Sequence, residues 1–316
     1  MKVMLLRWAV VVLLAYFFVP WLFGANAYLM SLIVASLVIG GVALAWALLG
    51  NLGGMISFGH SAFFGVGAYV SALLAINADF PIWLAMVCGG IGALLVSVLM
   101  LPTLRLKGPY FAIAILAYAQ IFRIIATEWR SLTNGVAGLS SIPSLPAVLW
   151  WESGSKTSSY LIVVTLVFAF ILVYRWVANS HYGLALRAMH ESEDATRVVG
   201  VNSTLLKAAM LLLSACMTGM IGAFNAHYIN FLEPDYAFGG VWIVIPIVAA
   251  IFGGYRTIWG PLVGAVVVYL VDQLLFKNIF PSGHQIILGI ILVVMILFSP
   301  GGLLPLLTVR TRKRTC

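Results

Sequence analysis

Long apolar runs, separated by short charged or turn-forming segments, occupy most of the 316-residue chain. A run of about 20 apolar residues matches a helix that crosses the hydrocarbon core of a bilayer. Unbroken runs favour helices over the alternating ten-residue strands of a membrane barrel. The pattern predicts an all-α, polytopic membrane protein with about ten transmembrane helices, at residues 8–23, 27–49, 58–76, 82–101, 110–127, 160–178, 205–227, 241–252, 258–276 and 285–304.

Composition supports a membrane protein and excludes several other classes. Hydrophobic residues make up 63% of the chain and charged residues only 8%, against roughly a quarter charged in soluble proteins. Such a chain is neither disordered nor held by disulfides. The net charge of +8 lies at the ends of apolar runs rather than on one soluble face, which argues against nucleic-acid binding. We expect one transmembrane domain over residues 1–316.

The distribution of Lys and Arg predicts the orientation. If the chain starts in the cytoplasm and crosses alternately, all but Arg123, Arg130, Lys156 and Lys277 of the 17 basic residues fall on the cytoplasmic side. The positive-inside rule therefore places both termini in the cytoplasm. An N-terminal signal peptide, cleaved near residues 25–27, is an alternative that leaves nine spans and the same final side. The length of the first apolar run favours an uncleaved span.

Three segments lie outside the predicted spans. Residues 128–159 form an external loop in which turn formers and two adjacent tryptophans predict an ordered segment at the lipid headgroups. Residues 179–204 form a charged cytoplasmic loop that is compatible with helix. The basic tail, 305–316, is expected to anchor the topology at anionic lipid.

Ionisable residues inside spans are costly and usually functional. Arg123 and Asp272 each lie about one turn from a predicted outer end, where we expect interfacial anchoring. With no carboxylate at mid-span, the sequence argues against an ion-coupled carrier.

Two glycine-rich segments interrupt the apolar pattern, one near residue 55 and one near residue 255. Glycines and hydroxyls suit a broken or re-entrant element, or close packing of helices, better than a lipid-facing helix. The alternative to a pathway is tight packing, with His60 hydrogen-bonded to neighbouring backbone. Two similar breaks hint at an internal repeat of the kind found in transporters. The candidate pathway or helix-break residues are Ser57, Gly59, His60, Ser61, Gly65, Gly253, Gly254 and Gly260.

Motifs for catalysis, metals or nucleotides are not apparent. The five histidines are dispersed, and residues 59–63 lack the closing glycine of a nucleophile elbow. The chain has no Gly-x-x-x-x-Gly-Lys-Ser/Thr phosphate loop. We therefore expect a non-catalytic chain without its own cofactor or metal, and if a nucleotide drives it, another chain binds that nucleotide.

The cytoplasmic loop predicts a short amphipathic helix that ends at Gly200. Small and apolar residues recur on one face, at Ala185, Ala188, Met189, Ser192, Ala195 and Val199. The opposite face carries Arg187, His190, Glu191, Asp194 and Arg197. Such a helix fits a groove on a partner. The alternative is a helix folded onto its own bundle or lying at the headgroups.

Several motifs resemble the branched-chain amino acid ABC transporter permeases of the LivM type. They include Ser57-Phe58-Gly59-His60-Ser61, Leu104-Arg105-Leu106-Lys107-Gly108-Pro109, Leu186-Arg187-Ala188 with Glu193-Asp194-Ala195 and Gly200-Val201-Asn202, then Gly253-Gly254 and Pro300-Gly301-Gly302-Leu303. The motifs follow one another in order over most of the chain. The chain departs from the family at Asp194-Ala195-Thr196, where Glu-Ala-Ala is usual, so a specific contact by Thr196 does not carry over.

The resemblance implies a permease subunit of a bacterial inner-membrane importer. Its expected partners are a second permease subunit, two cytoplasmic ABC ATPases that bind ATP and Mg, a periplasmic substrate-binding protein and the bilayer. Branched-chain amino acids are the expected solute, with urea, amides or another small metabolite as alternatives, and a stand-alone carrier or channel as a different class. The implied ATPase-coupling residues are Leu186, Arg187, Met189, His190, Glu193, Asp194, Ala195, Gly200 and Asn202.

Overall fold

The computed structural model describes residues 14–148, 151–279, 283–298 and 301–304. Within these residues the chain is a bundle of helices with two isolated antiparallel bridges. Eight of the described helical segments are long and apolar enough to cross a membrane, with Pro234–Gly253 counted as one segment. The prediction of an all-α, multi-pass membrane protein is confirmed, whereas the total of about ten spans and the orientation stay predictions.

The helices follow the predicted spans closely. We number them α1 to α12: Leu14–Phe23, Ala27–Leu52, His60–Asn77, Ile82–Leu99, Pro109–Glu128, Lys156–Asn179, His181–Glu191, Glu193–Val198, Ser203–Ile229, Val241–Gly253, Gly260–Ile279 and His284–Phe298. Shorter helical turns occur at Leu101–Arg105, Arg130–Thr133, Gly135–Ala137 and Pro234–Ala237.

The two ends of the chain are only partly covered. Helix α1 is described from Leu14 and α12 has 15 residues. The signal-peptide alternative, with Lys2 and Arg7, begins outside the described residues. The basic tail at 305–316 and Trp150 lie outside them as well.

Helix α9 lies at the centre of the bundle. Its backbone packs directly against the backbones of α3 and α4 at glycine positions. A Cβ on Gly67 of α3 would overlap the backbone of Gly219 in α9, and a Cβ on Gly222 would overlap the backbone of Phe64. A Cβ on Gly219 would also meet the carbonyl oxygen of Gly89 in α4 at 2.9 Å. Small residues allow helix backbones in a membrane to touch in this way.

The second glycine-rich segment is the tight turn between α10 and α11. Gly254 has a φ of +103°, a conformation that glycine adopts without strain. A Cβ on Gly253 would overlap the carbonyl of Gly260, and a Cβ on Gly260 would overlap the carbonyl of Gly254. These three glycines therefore allow two helices to turn and pack within a few residues.

The loop that precedes α6 is ordered against one end of the bundle. Leu139 pairs with Leu232 by backbone hydrogen bonds of 2.8 and 3.0 Å, and Ile142 and Leu145 are buried. Asn230, at the end of α9, donates to the Ile142 carbonyl at 2.8 Å. We call this the α9 C-terminal end of the bundle, and the end that carries α7 and α8 the loop end.

One expectation about a charged side chain is wrong. Asp272 does not reach the surface of the bundle, since it is 3% exposed within the span Gly260–Ile279. Here α11 widens into a π-helical turn, Asp272–Phe276, and Gln273 donates to the Asp272 carboxylate at 3.4 Å. The Arg123 side chain is 43% exposed and pairs with Asp235 at 3.2 Å; its anchoring at the membrane interface stays a prediction.

Candidate functional site

The loop predicted to couple to a partner consists of two helices rather than one. Helix α7 ends at Glu191, and Ser192 adopts an extended backbone, with φ −156° and ψ 106°. The Ser192 hydroxyl then caps α8, accepting from the amide of Ala195 at 3.3 Å. The prediction of a single continuous helix is therefore wrong, because Ser192 and the two acidic residues after it start a new helix.

The inward face of the loop also differs from the predicted one. Leu186 and Met189 are 0% and 5% exposed and join the hydrophobic core. Thr196 is 4% exposed, and its hydroxyl donates to the Ser192 carbonyl at 2.7 Å. Of the small and apolar residues predicted to form one face, Ala188, Ser192, Ala195 and Val199 are exposed. Leu186 and Met189 hold the loop on its own bundle.

An ion-pair cluster ties α8 to the start of α9. Glu193 accepts from Lys207 at 2.7 Å and from Arg197 at 2.8 Å, while Arg197 also donates through Nε to Ser203 at 2.7 Å. Chiefly because of the Lys207 hydrogen bond, the pKa of the Glu193 carboxyl lies below its usual value. Asn202 caps α9 by accepting from the Leu205 amide at 3.0 Å.

The outward face of the loop combines charge with exposed apolar side chains. Val198 and Val199 are 90% and 80% exposed at the tip of α8. Asp194 is exposed beside them. Gly200 follows with a φ of +88° and no atom within 4 Å of a Cβ built on it, so glycine is needed there for backbone conformation and not for space.

Helix α7 lies directly against the unwound segment between α2 and α3. A Cβ on Gly54 would come within 3.1 Å of His190 Nδ1. Arg187 donates to the carbonyl of Ala178 at 3.2 Å, which fixes α7 to the end of α6. The loop therefore touches the helix break directly.

The break itself lies at residues 53–59, where the predicted span 58–76 loses its first residues. Trp46 donates through Nε1 to the Ser57 carbonyl at 2.8 Å, and the Ser57 hydroxyl accepts from the Gly59 amide at 3.2 Å. A Cβ on Gly59 would overlap the side chain of Ile115 in α5. Ser57 and Gly59 are thus hydrogen-bonded and buried in protein, as an irregular segment in a membrane requires, whereas Gly54 and Ile56 of the same segment are exposed.

His60 and Ser61, the first residues of α3, are buried. His60 Nε2 lies 2.9 Å from the Ser214 hydroxyl, which itself donates to the Ala45 carbonyl at 2.8 Å. Since that hydroxyl has one proton, His60 Nε2 must be the donor to Ser214. The ring therefore joins α3 to α9 and, through Ser214, to α2. Sequence alone predicted only a backbone partner for His60 and did not assign Ser214 a role.

Gly65 leaves room for the ring of Phe238 to pack against α3. A Cβ on Gly65 would overlap the ring of Phe238, which stacks on Tyr69 with 5.9 Å between ring centroids. Whether Ser57, Gly59, His60, Ser61 and Gly65 line a pathway stays a prediction. Their contacts lie within the core of this chain.

Comparison with known proteins identifies the family. The family described as branched-chain amino acid transport system / permease component matches residues 28–296. The chain belongs to this family. The resemblance predicted from the motifs is confirmed. No solved structure matches the chain significantly.

Relatives of this permease family cover most of the chain. The high-affinity branched-chain amino acid transport system permease protein LivM of Escherichia coli is 27% identical in an alignment that covers 81% of this chain and 65% of that protein. LivM of Salmonella typhimurium gives the same identity and coverage. LivH of E. coli is 22% identical over 83% of this chain and 90% of its own length. The chain thus spans about two thirds of the LivM proteins.

The Glu193 cluster predicts a pH-dependent attachment of α8. The pKa of Glu193 is lower in the folded state than in the unfolded chain. The ion pairs of Glu193 therefore stabilise the attachment of α8 fully above the ordinary glutamate pKa, and this stabilisation is lost as the pH falls through the lowered pKa. Lys207→Met should raise amide exchange in α8 about fivefold at neutral pH, the equivalent of about 1 kcal/mol. Hydrogen exchange read by mass spectrometry measures this.

Lys277→Met, which removes an exposed lysine at the opposite end of the bundle, is the control and should leave α8 protected. Equal protection of α8 in Lys207→Met and the wild type at every pH would show that the cluster does not hold the loop.

Proposed function

We propose that this chain is a permease subunit of an ATP-driven importer and forms the membrane pathway for branched-chain amino acids. The family match over residues 28–296 carries this proposal. It is supported by the curated names of the LivM and LivH relatives, which are permease proteins of branched-chain amino acid transport systems. The anchored α7–α8 loop, with its exposed tip, is the surface we assign to coupling.

The proposed setting is a bacterial inner membrane, with residues 1–316 as one permease domain and both termini in the cytoplasm. The distribution of Lys and Arg supports this orientation. The proposed partners are a second permease, two ABC ATPases and a periplasmic binding protein. The ATPases, which bind ATP and Mg themselves, dock at the loop end, and the binding protein docks at the α9 C-terminal end. Urea, amides or another small metabolite remain alternative solutes, because specificity is also set by the binding protein.

The coupling mechanism follows from how the loop is held. When the ATPases close on nucleotide, they move the exposed tip formed by Asp194, Val198 and Val199. Leu186 and the Glu193–Lys207 pair transmit that movement to the bundle. Reversing a 1:99 equilibrium between two access states needs about 5.5 kcal/mol of differential interaction. The small exposed loop cannot supply that energy, so nucleotide binding on the partner does.

The loop tip gives a direct test of coupling. Proline fixes φ near −65°, which is incompatible with the +88° of Gly200, whereas asparagine tolerates positive φ. Gly200→Pro should lower transport-coupled ATPase activity at least tenfold, about 1.4 kcal/mol, while Gly200→Asn stays within about twofold of wild type. The assay is leucine-stimulated ATP hydrolysis by the reconstituted complex.

Asp194→Lys and Asp194→Asn form a second matched pair. Charge reversal in Asp194→Lys should abolish the leucine-stimulated ATP hydrolysis, and neutralisation in Asp194→Asn should preserve it. Stimulation that survives both Gly200→Pro and Asp194→Lys would refute the coupling assignment.

The buried Asp272 favours a second candidate, a stand-alone ion-coupled carrier. A carboxylate inside a span is expensive and commonly binds a proton or a cation. The importer proposal predicts no uptake by vesicles without ATPases, and ATP-driven uptake that a protonophore does not change. Asp272→Asn should then keep uptake within about twofold of wild type. ATP-independent uptake, abolished both by the protonophore and by Asp272→Asn, would favour the carrier instead.

A further inference from the structure

Three cavities follow one flank of α5 from the loop end to the α9 C-terminal end. The first, of about 440 Å³, is lined by Ala112 and, toward the loop end, by Lys107, Glu193 and Lys207. The second, of about 340 Å³, contains Leu116. The third, of about 190 Å³, contains Arg123 and Thr127.

The helix positions show that the cavities form a single line. Ala112, Leu116, Arg123 and Thr127 are spaced by four, seven and four residues, so they share one face of α5. At 1.5 Å per residue they extend over about 22 Å, most of a hydrocarbon core of about 30 Å. The opposite wall of the middle cavity is the face of α10 and the residue before it, with Gly240, Ile243 and Ile247 at three- and four-residue spacing. The first two cavities share Phe58, and the third continues along the same face of α5. We call this surface the α5–α10 groove.

Phe58 is the point where two of the cavities meet. It lines both the 440 Å³ cavity and the 340 Å³ cavity, and it belongs to the unwound segment that α7 touches through Gly54. A side chain on an irregular backbone can move without breaking a helix. A displacement of α7 can therefore be passed through the unwound segment to Phe58, where the two cavities meet.

The open side of the groove is unsuited to lipid. Gln120 lies near the middle of α5 and is exposed, between the exposed residues Ala117 and Ile124 on the same face. A mid-span amide that faces hydrocarbon is costly. Val244, on the α10 wall, is 55% exposed. A second permease subunit over this face would enclose the groove and give Gln120 polar surroundings.

We infer that the α5–α10 groove is the solute route, closed on its open side by the second permease and constricted at Phe58. This inference rests on the proposed function and deepens it.

The chemistry of the groove selects among the solutes considered. The middle cavity is lined by carbon side chains alone, Phe58, Leu116, Ile243, Val244 and Ile247, which suits an aliphatic side chain. The cavity at the α9 C-terminal end carries the Arg123–Asp235 ion pair together with Glu128 and Glu233. An ammonium group meets Glu128 and Glu233 there, and a carboxylate binds by replacing Asp235 on Arg123. The groove therefore fits a small zwitterion with a branched aliphatic side chain better than urea, which has no apolar part to bury.

The test places single cysteines in the groove of the complete complex, reconstituted with its ATPases and binding protein. The background carries Cys88→Ala, Cys216→Ala and Cys316→Ala. Leu116→Cys and Val244→Cys probe the groove, and Leu172→Cys and Leu95→Cys, exposed on α6 and α4, are matched controls. Each variant is treated during ATP turnover with a water-soluble cationic thiosulfonate and, separately, with a lipid-soluble maleimide.

The groove cysteines should react with the water-soluble reagent at least tenfold faster than the controls, because the reactive thiolate needs water. Saturating leucine should slow this reaction, urea should not, and modification should lower leucine uptake at least tenfold. The controls should react mainly with the lipid-soluble reagent and keep their uptake.

Groove cysteines that react only with the lipid-soluble reagent, or whose modification leaves uptake unchanged, would overturn the inference. Protection by urea instead of leucine would overturn the assignment of the solute class. ATP-dependent leucine uptake by the wild-type complex is measured first, and the cysteine-free background is used only with uptake at the wild-type level. Absence of uptake by the wild type would reject the proposed function and with it the groove, whereas uptake with unreactive groove cysteines would reject the groove alone.

Discussion

The direct backbone contact between α9 and its neighbours α3 and α4 is the constraint on which the rest of the structure depends. Gly67, Gly219 and Gly222 leave no room for side chains between these helices. Because a packed core is not continuously deformable, three helices joined backbone to backbone behave as one body. The hydrogen bonds from His60 to Ser214 and from Ser71 to His227, each 2.9 Å long, join α3 and α9 at two levels.

This rigid body connects the two ends of the protein. Helix α9 has 27 residues and is about 40 Å long, longer than the hydrocarbon core. It begins next to the Glu193–Lys207 pair and ends at Asn230, which holds the ordered loop by the Ile142 carbonyl. Helix α5 is less enclosed, with only Phe111, Ala112, Ile115, Ala119 and Ala126 buried. A force on the loop would therefore move the α3–α4–α9 core as a unit and change its relation to α5, which forms one wall of the groove.

Sequence predicted the helices well because apolar length is a local property that needs no knowledge of packing. It also located the break before α3, since glycines and hydroxyls at 53–61 cannot form a lipid-facing helix. It missed the break at Ser192, although a serine followed by Glu193 and Asp194 is a helix-start signal. The depth of Asp272 was not predictable, because hydropathy does not reveal which neighbours enclose a side chain. The groove joins residues far apart in sequence, such as Phe58, Leu116 and Ile243, so it emerges only from the fold.

The most direct test of this account is double electron–electron resonance spectroscopy, which measures the distance between two spin labels. Two labelled pairs are measured in the assembled complex, before and after nucleotide binding. The account predicts that the Val199–Ile229 pair, along the loop and α9, keeps its distance distribution. The Ile113–Leu95 pair, with one exposed label on α5 and one on α4 of the core, should shift. A Val199–Ile229 distance that changes with nucleotide while the Ile113–Leu95 distance stays fixed would contradict the claim that the loop moves a rigid core against α5.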